Sequence, residues 1–149
     1  MTILLLEDTD SGLEYLSKVV KAFGYNVIPC VRIDMAKKHL ESRLDDIDCI
    51  VADLSMNPEW LDPYGDEAEG GLLSGWVFLY RFVYPKRDIP TVIYSGYIEE
   101  LNERLSRNKD EFEAYTKARV KCVPKGGSGD RDICRAIEAA IRGEKNEKK

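Results

Sequence analysis

Four short apolar segments constrain the fold of this chain more than any other feature of its sequence. They span residues 3–6, 49–52, 91–94 and 120–123. Continuous apolar runs of this length, bounded by polar residues, are typical of strands buried on both faces of a parallel sheet. Each one delivers charged or hydroxyl-bearing side chains at its C-terminal end: Glu7 and Asp8, Asp53, Ser95, and Lys125. Because ligands bind at the carboxyl edge of open parallel sheets, we expect these side chains to meet there.

Strand-like and helix-like segments alternate along the whole chain, which predicts helices on both faces of the sheet. We therefore predict an α/β fold: a doubly wound, five-stranded parallel sheet of flavodoxin-like type, with strand order 2-1-3-4-5. The predicted strands are 2–6, 26–31, 48–52, 90–94 and 120–123. Pro29 cannot donate a ladder hydrogen bond, so the second strand should lie at the sheet edge. This order places the first and third strands side by side and brings Glu7, Asp8 and Asp53 together.

Local signals predict where several helices begin and end. Ser11 and Glu14 have the spacing of a capping box, which predicts the start of the first helix, and Gly24 should end it. Its apolar face should be formed by Leu13, Leu16, Val20 and Phe23. Asp34 is expected to cap the second helix, the third should run from about Ser74 to Tyr84, and Gly143 should end the fifth.

Two connections exceed the usual two to six residues of an α/β unit. Residues 54–73 form a long acidic segment before the third helix. Residues 98–119 are long enough for one helix of roughly 30 Å. A break near residues 106–109 is the alternative. Both segments border the expected site, so they are candidates for choosing partners or forming a homodimer.

Composition narrows the function classes. With 149 residues, the chain is long enough for one domain, which we place at residues 1–143, followed by a charged tail at 144–149. The net charge of −5 argues against direct nucleic-acid binding. No apolar stretch is long enough for a membrane span, so we expect a cytoplasmic protein. The four cysteines have no metal-ligand spacing, and the single histidine, His39, is expected at the surface.

The clustered carboxylates, hydroxyl and ammonium suit phosphoryl chemistry. Mg²⁺ prefers oxygen ligands, and Glu7 and Asp8 are candidates to hold it. Asp53 could then attack phosphorus as a nucleophile and form an aspartyl phosphate. Lys125 would pair with one phosphoryl oxygen, and Ser95 would donate a hydrogen bond to another.

These residues in this order resemble the receiver domain of two-component response regulators. The matching positions are Glu7-Asp8, Asp53 in Ala-Asp-Leu-Ser-Met, Gly75, Ser95 in Tyr-Ser-Gly, and Lys125 in Val-Pro-Lys. The resemblance covers nearly the whole chain. It implies phosphorylation of Asp53 by a histidine kinase or phosphotransfer protein, with Mg²⁺ held by Glu7, Asp8, Asp53 and the backbone carbonyl of Ser55. It also implies a phosphoacceptor rather than an enzyme, one that switches a protein-binding surface or relays the phosphoryl group.

The chain departs from the family pattern at two positions near the lysine. Cys122 stands where the family usually has its switch aromatic, and Gly126 follows the lysine where proline is common. One alternative is therefore a pseudo-receiver, a binding module that is never phosphorylated. A second is a haloacid-dehalogenase-like phosphatase, with Asp8 of Asp-Thr-Asp-Ser as nucleophile and Asp10 as acid/base.

Overall fold

A computed structural model describes residues 1–126 and 130–143, and its centre is one parallel sheet. The strand order is β2-β1-β3-β4-β5, so the predicted fold and strand order are confirmed. In β1 and β3 the register sets Leu4 opposite Ile50 and Leu6 opposite Ala52. The strands are β1 Thr2–Leu6, β2 Asn26–Cys30, β3 Cys49–Ala52, β4 Thr91–Ser95 and β5 Lys121–Pro124. Pro29 lies in the edge strand β2, as its missing N–H requires.

Helices cover both faces of the sheet. They are α1 Asp10–Ala22, α2 Ile33–Arg43, α3 Ser74–Phe78, α4 Ile98–Ser106, α5 Lys109–Lys117 and α6 Asp130–Arg142. Successive strand residues point to opposite faces, so Ile3 and Leu5 belong to one core and Leu4 and Leu6 to the other. The first core packs against α1 and α6. The second packs against α2, α3 and α4, which explains why the strands are apolar throughout.

The predicted start of α1 is wrong by two residues. Thr9, not Ser11, is the N-cap: its backbone is extended and its side chain accepts from the Gly12 N–H at 3.2 Å. The C-terminal prediction is confirmed, since Gly24 follows the helix with a φ of +105°. Phe23 was wrongly placed on the buried face, because its side chain is half exposed.

The predicted cap of α2 is also wrong. Arg32 is the N-cap residue and makes no side-chain cap hydrogen bond. Asp34 lies inside the first turn instead, where its carboxylate accepts from Arg32 Nε at 3.0 Å. It can still favour the helix there through the positive end of the helix dipole.

The two long connections fold locally instead of forming open loops. The first contains short 3₁₀ helices at Pro58–Leu61 and Gly65–Gly71. The second is broken between α4 and α5, so the alternative with a break near residues 106–109 is confirmed. Helix α3 begins at Ser74, as predicted, and continues as a π-helical turn over Leu79–Val83.

A buried polar cluster joins these two connections. Glu111 on α5, only 3% exposed, accepts bidentate hydrogen bonds from Arg104 on α4, with both N–O distances 2.9 Å. Trp76 Nε1 on α3 donates to the same carboxylate at 2.7 Å, and Asn108 Nδ2 donates at 3.0 Å. Arg104 also donates to the backbone carbonyl of Glu67. We call Trp76, Arg104, Asn108 and Glu111 the α4–α5 cluster.

The structure describes all four cysteines and the single histidine. All four cysteines are free thiols, and Cys122 is only partly buried, with its Sγ 3.3 Å from the Tyr115 hydroxyl. His39 is partly exposed on α2. Over residues 1–126 and 130–143, no helix is both long and apolar enough to cross a membrane. The predicted tail at 144–149 lies outside the described residues.

Candidate functional site

Three carboxylates meet at the carboxyl edge of the sheet, as the sequence predicts. Glu7 and Asp8 follow β1 and Asp53 follows β3, and these strands are direct neighbours. One oxygen from each carboxylate lies within 4.8 Å of the other two. Glu7 is 3% and Asp53 is 8% exposed, whereas Asp8 is exposed to solvent. Two of the three clustered carboxylates are therefore buried and the third is exposed.

Lys125 is the cation of this group. Its Nζ donates to Asp53 Oδ2 at 2.7 Å and to Glu7 Oε1 at 2.9 Å. Burial acts to lower the pKa of this ammonium, but the hydrogen bonds and negative charges of Asp53 and Glu7 outweigh burial and raise it. Lys125 therefore stays protonated and bridges the two buried carboxylates. We call Glu7, Asp8, Asp53 and Lys125 the strand-end cluster.

The strand-end cluster carries more negative than positive charge. The pKa of Asp8 is raised, first by partial burial and then by the charges of Glu7 and Asp53. Three carboxylates and one ammonium leave a net negative charge that a further cation could neutralise.

The backbone around Asp53 fixes its side chain. The Asp53 N–H donates to the Leu6 carbonyl at 3.0 Å, and the Leu54 N–H donates to Asp53 Oδ1 at 2.6 Å. Helix α3 approaches closely at Gly75, where a Cβ would lie 1.9 Å from the Asp53 carbonyl oxygen. Any other residue at position 75 would push α3 away from the end of β3, so the glycine is a requirement of the site.

Ser95 and Ser55 lie on the strand ends and loops around the same edge. Ser95 closes β4 and is fully buried, and its Oγ accepts from the Tyr97 N–H at 3.1 Å. The Lys125 N–H donates to the Ser95 carbonyl at 3.1 Å, which ties the ends of β4 and β5 together. Ser55 is partly exposed, two residues beyond Asp53. The roles predicted for both serines stay predictions.

The donor set fits a small divalent cation. Mg²⁺ is bound in proteins by one or two carboxylates with water and phosphate oxygens, and the three clustered carboxylates supply hard oxygen ligands of that kind. Asp10, the acid/base of the phosphatase alternative, is not one of the three carboxylates that cluster among the described residues. It opens α1 and is exposed.

Thr9 is a residue beside the cluster that the sequence did not single out. Its Oγ1 donates to Glu7 Oε2 at 3.3 Å while it caps α1, and its N–H lies 3.4 Å from the same oxygen. The capping-box spacing of Ser11 and Glu14 instead predicts an N-cap two residues further along the chain. A threonine three residues before Gly12 is a weak sequence signal for the cap that forms.

Comparison with solved structures places this fold among receiver domains. A response regulator receiver domain protein from Clostridium thermocellum superposes with a TM-score of 0.69 at 19% identity, covering 95% of this chain and 94% of that one. A CheY-like receiver domain protein from Methanospirillum hungatei JF-1 gives 0.63 at 14% identity, with the same two coverages.

The receiver domain of the hybrid histidine kinase CckA gives a TM-score of 0.64 at 18% identity, covering 95% of this chain and 99% of that one. No family model matches the sequence, and no curated protein matches it either. At these identities the likeness establishes the fold: this chain has the fold of response regulator receiver domains.

Proposed function

We propose that this protein is a response regulator receiver that accepts a phosphoryl group on Asp53. The observation that carries this proposal is the strand-end cluster, in which the Asp53 carboxylate is paired with Lys125 and lies beside Glu7 and Asp8. A carboxylate held at the sheet edge with an ammonium and two further carboxylates has what phosphoryl transfer requires, namely a positioned nucleophile and charge compensation.

The reaction transfers a phosphoryl group from a donor to the carboxylate of Asp53. A carboxylate oxygen of Asp53 attacks phosphorus, and the bond from phosphorus to the donor's imidazole nitrogen or acyl oxygen breaks with its electron pair leaving to the donor. Asp53 Oδ2 faces Lys125, while Oδ1 accepts from the Leu54 N–H. Lys125 is then placed to pair with a phosphoryl oxygen, since its ammonium already contacts the nucleophile.

Mg²⁺ is the cofactor in this proposal, held by Glu7, Asp8 and Asp53 with the backbone carbonyl of Ser55. When bound, it neutralises negative charge on the phosphoryl oxygens and on the clustered carboxylates. Ser95 is assigned the hydrogen bond to a phosphoryl oxygen, which requires its hydroxyl to turn from the Tyr97 N–H toward the cleft.

The proposed donors are a histidine kinase or a phosphotransfer protein in the cytoplasm. One structural neighbour is itself the receiver domain of a hybrid histidine kinase, which supports a partner of that class. The domain is proposed to comprise residues 1–143, and to act by switching a protein-binding surface, forming a homodimer, or passing the phosphoryl group on. The surface formed by α4, α5, β5 and α6 is the one we assign to the switch.

Intact mass spectrometry after incubation with acetyl phosphate and Mg²⁺ tests the proposal. We expect one phosphoryl adduct on the wild type and none on Asp53→Asn. Asp45→Asn removes an exposed carboxylate that precedes β3, whereas the strand-end cluster follows the C-terminal ends of the strands. This variant should be labelled like the wild type. Absence of the adduct on wild type, where a known receiver is labelled, would contradict the proposal and favour the pseudo-receiver.

The phosphatase alternative predicts a different pattern. It requires turnover of a generic phosphate ester that is abolished by Asp8→Asn and Asp10→Asn and unaffected by Asp53→Asn. A receiver predicts little ester turnover and loss of the adduct on Asp53→Asn. The results expected of a phosphatase and those expected of a receiver therefore differ in every measurement.

A further inference from the structure

Glu7 is held on both of its carboxylate oxygens in this structure. Oε1 accepts from Lys125 Nζ at 2.9 Å, and Oε2 faces the Thr9 Oγ1 at 3.3 Å and the Thr9 N–H at 3.4 Å. The backbone N–H of Glu7 donates to the Cys30 carbonyl at 3.1 Å. With 3% exposure, this side chain has little room for another rotamer. Its orientation is therefore set by Lys125 on one side and Thr9 on the other.

Thr9 contacts Glu7 and caps α1 with the same atom. A hydroxyl has one hydrogen to donate and two lone pairs that accept. Thr9 Oγ1 can therefore accept from the Gly12 N–H at 3.2 Å and give its own hydrogen to Glu7 Oε2. The helix cap fixes the hydroxyl in place, and the fixed hydroxyl orients the carboxylate.

The absence of a side chain at Gly12 makes room for this arrangement. A Cβ at this position would lie 2.6 Å from Thr9 Oγ1, 3.1 Å from Glu7 Cδ and 3.2 Å from Glu7 Cγ. Alanine is favoured over glycine inside a helix, so glycine in the first turn costs helix stability. The side chains of Thr9 and Glu7 occupy the space that a Cβ at position 12 would take.

We propose that Thr9 is a positioning residue for the strand-end cluster, and that Gly12 supplies the space it needs. Thr9 turns the Glu7 carboxylate so that Oε1 faces Lys125, which also pairs with Asp53, the side on which a cation and a phosphoryl group would be bound. This inference rests on the proposed function. Partners that orient a metal-binding side chain typically change metal affinity or activity by 10- to 100-fold when they are removed.

Isothermal titration calorimetry with Mg²⁺ alone tests the inference, with urea unfolding run on the same variants. Thr9→Val keeps the side-chain shape and removes the hydroxyl, so we expect the Mg²⁺ Kd to rise about tenfold. Thr9→Ser restores the hydroxyl and should restore the wild-type Kd. Gly12→Ala should weaken Mg²⁺ binding although it adds a better helix former.

A control variant separates positioning from capping. Asn108 caps α5 through Oδ1, which accepts from the Glu111 N–H at 3.0 Å, so Asn108→Ala should lower stability and leave the Mg²⁺ Kd unchanged. If Thr9→Val lowers stability in the same way without a change in Kd, Thr9 is only a helix cap and the inference is overturned.

Phosphorylation distinguishes the failure of this inference from the failure of the proposed function. If the wild type binds Mg²⁺ and is labelled on Asp53, and the Thr9→Val variant binds Mg²⁺ with equal affinity, only the positioning role of Thr9 is overturned. A wild type that neither binds Mg²⁺ nor is labelled overturns both. At saturating Mg²⁺, Thr9→Val should recover most of its labelling rate, because the variant loses metal affinity and keeps its nucleophile.

Discussion

The strand-end cluster and the α4–α5 cluster both gather charged side chains, but their charges are balanced differently. In the α4–α5 cluster, one guanidinium meets one carboxylate in a bidentate pair, and Trp76 and Asn108 donate to that same carboxylate. In the strand-end cluster, one ammonium pairs with two carboxylates, Glu7 and Asp53, and a third carboxylate, Asp8, lies beside them. Glu111 and Trp76 are buried and Arg104 and Asn108 are partly buried, whereas Asp8 is exposed.

This difference separates a structural role from a binding role. A buried ion pair whose remaining lone pairs are hydrogen-bonded has balanced charge and satisfied hydrogen bonds, so the α4–α5 cluster needs no ligand. Excess negative charge in a cluster is relieved by a cation. Partial burial and then the charges of Glu7 and Asp53 raise the pKa of Asp8.

Removing the acceptor of the α4–α5 cluster should strongly destabilise the fold. Glu111→Leu leaves the Arg104 guanidinium without its carboxylate and the Trp76 indole N–H without its acceptor. We expect a loss of about 3 kcal/mol in the free energy of unfolding, measured in urea, because one partner of a buried pair is left uncompensated. Labelling of the folded fraction on Asp53 should be unchanged. A loss below about 1 kcal/mol would show that the pair is weakly coupled to the fold.

Mg²⁺ should stabilise the protein through the strand-end cluster. At free Mg²⁺ of about 100 times its Kd, ligand binding to the native state adds about 2.7 kcal/mol to the free energy of unfolding. Thermal or urea unfolding with and without EDTA measures this effect. Asp8→Asn should reduce it and Asp45→Asn should not. Equal stabilisation of both variants would place the cation elsewhere.

Removing both partners of the buried pair should cost less than removing one. The double variant Arg104→Met/Glu111→Leu replaces the ion pair with apolar side chains of similar volume, which is often nearly neutral. The Trp76 indole N–H and the Glu67 carbonyl still lose a partner, so we expect a residual loss of about 1–2 kcal/mol. A double-mutant cycle in urea measures the coupling. Additive losses would show that the two side chains act independently.

The smallest expected effect is at the cap of α5. Asn108→Ala removes the side-chain acceptor for the Glu111 N–H and one donor to its carboxylate, which should cost about 1 kcal/mol. Asn108→Asp keeps the cap acceptor but places a second carboxylate beside Glu111. Urea unfolding should therefore rank wild type above both variants, and an Asn108→Asp variant as stable as wild type would mean that the side chain acts only as a cap.

The fold class could be predicted correctly because its signals are local. An apolar run and the polar residue after it are consecutive in the chain, so Asp53 could be placed at a strand end without knowing its neighbours. Pro29 located the edge strand for the same reason, since it lacks an N–H whatever surrounds it. Once the strand order was predicted, the convergence of Glu7, Asp8 and Asp53 followed from the shared edge of parallel strands.

The errors arose where two local patterns compete or where the outcome depends on packing. Thr9 and Ser11 are both suitable N-cap residues, and the capping-box spacing favours Ser11. The cap is formed by the residue whose backbone is still extended where the chain leaves β1, and that residue is Thr9. Phe23 has the spacing of the buried face, but it lies at the C-cap of α1, where the helix no longer faces the sheet.

The strands, their chemistry at one edge of the sheet and the candidate phosphoacceptor Asp53 follow from the amino-acid sequence, because each depends on residues adjacent in the chain. Which contacts those residues make depends on the tertiary fold. Trp76 and Glu111 are 35 positions apart, and Lys125 reaches Glu7 across 118. Contacts of that separation depend on how helices and loops pack against the sheet. The strand-end pattern predicts that Lys125 and Glu7 share an edge, but not which atoms pair.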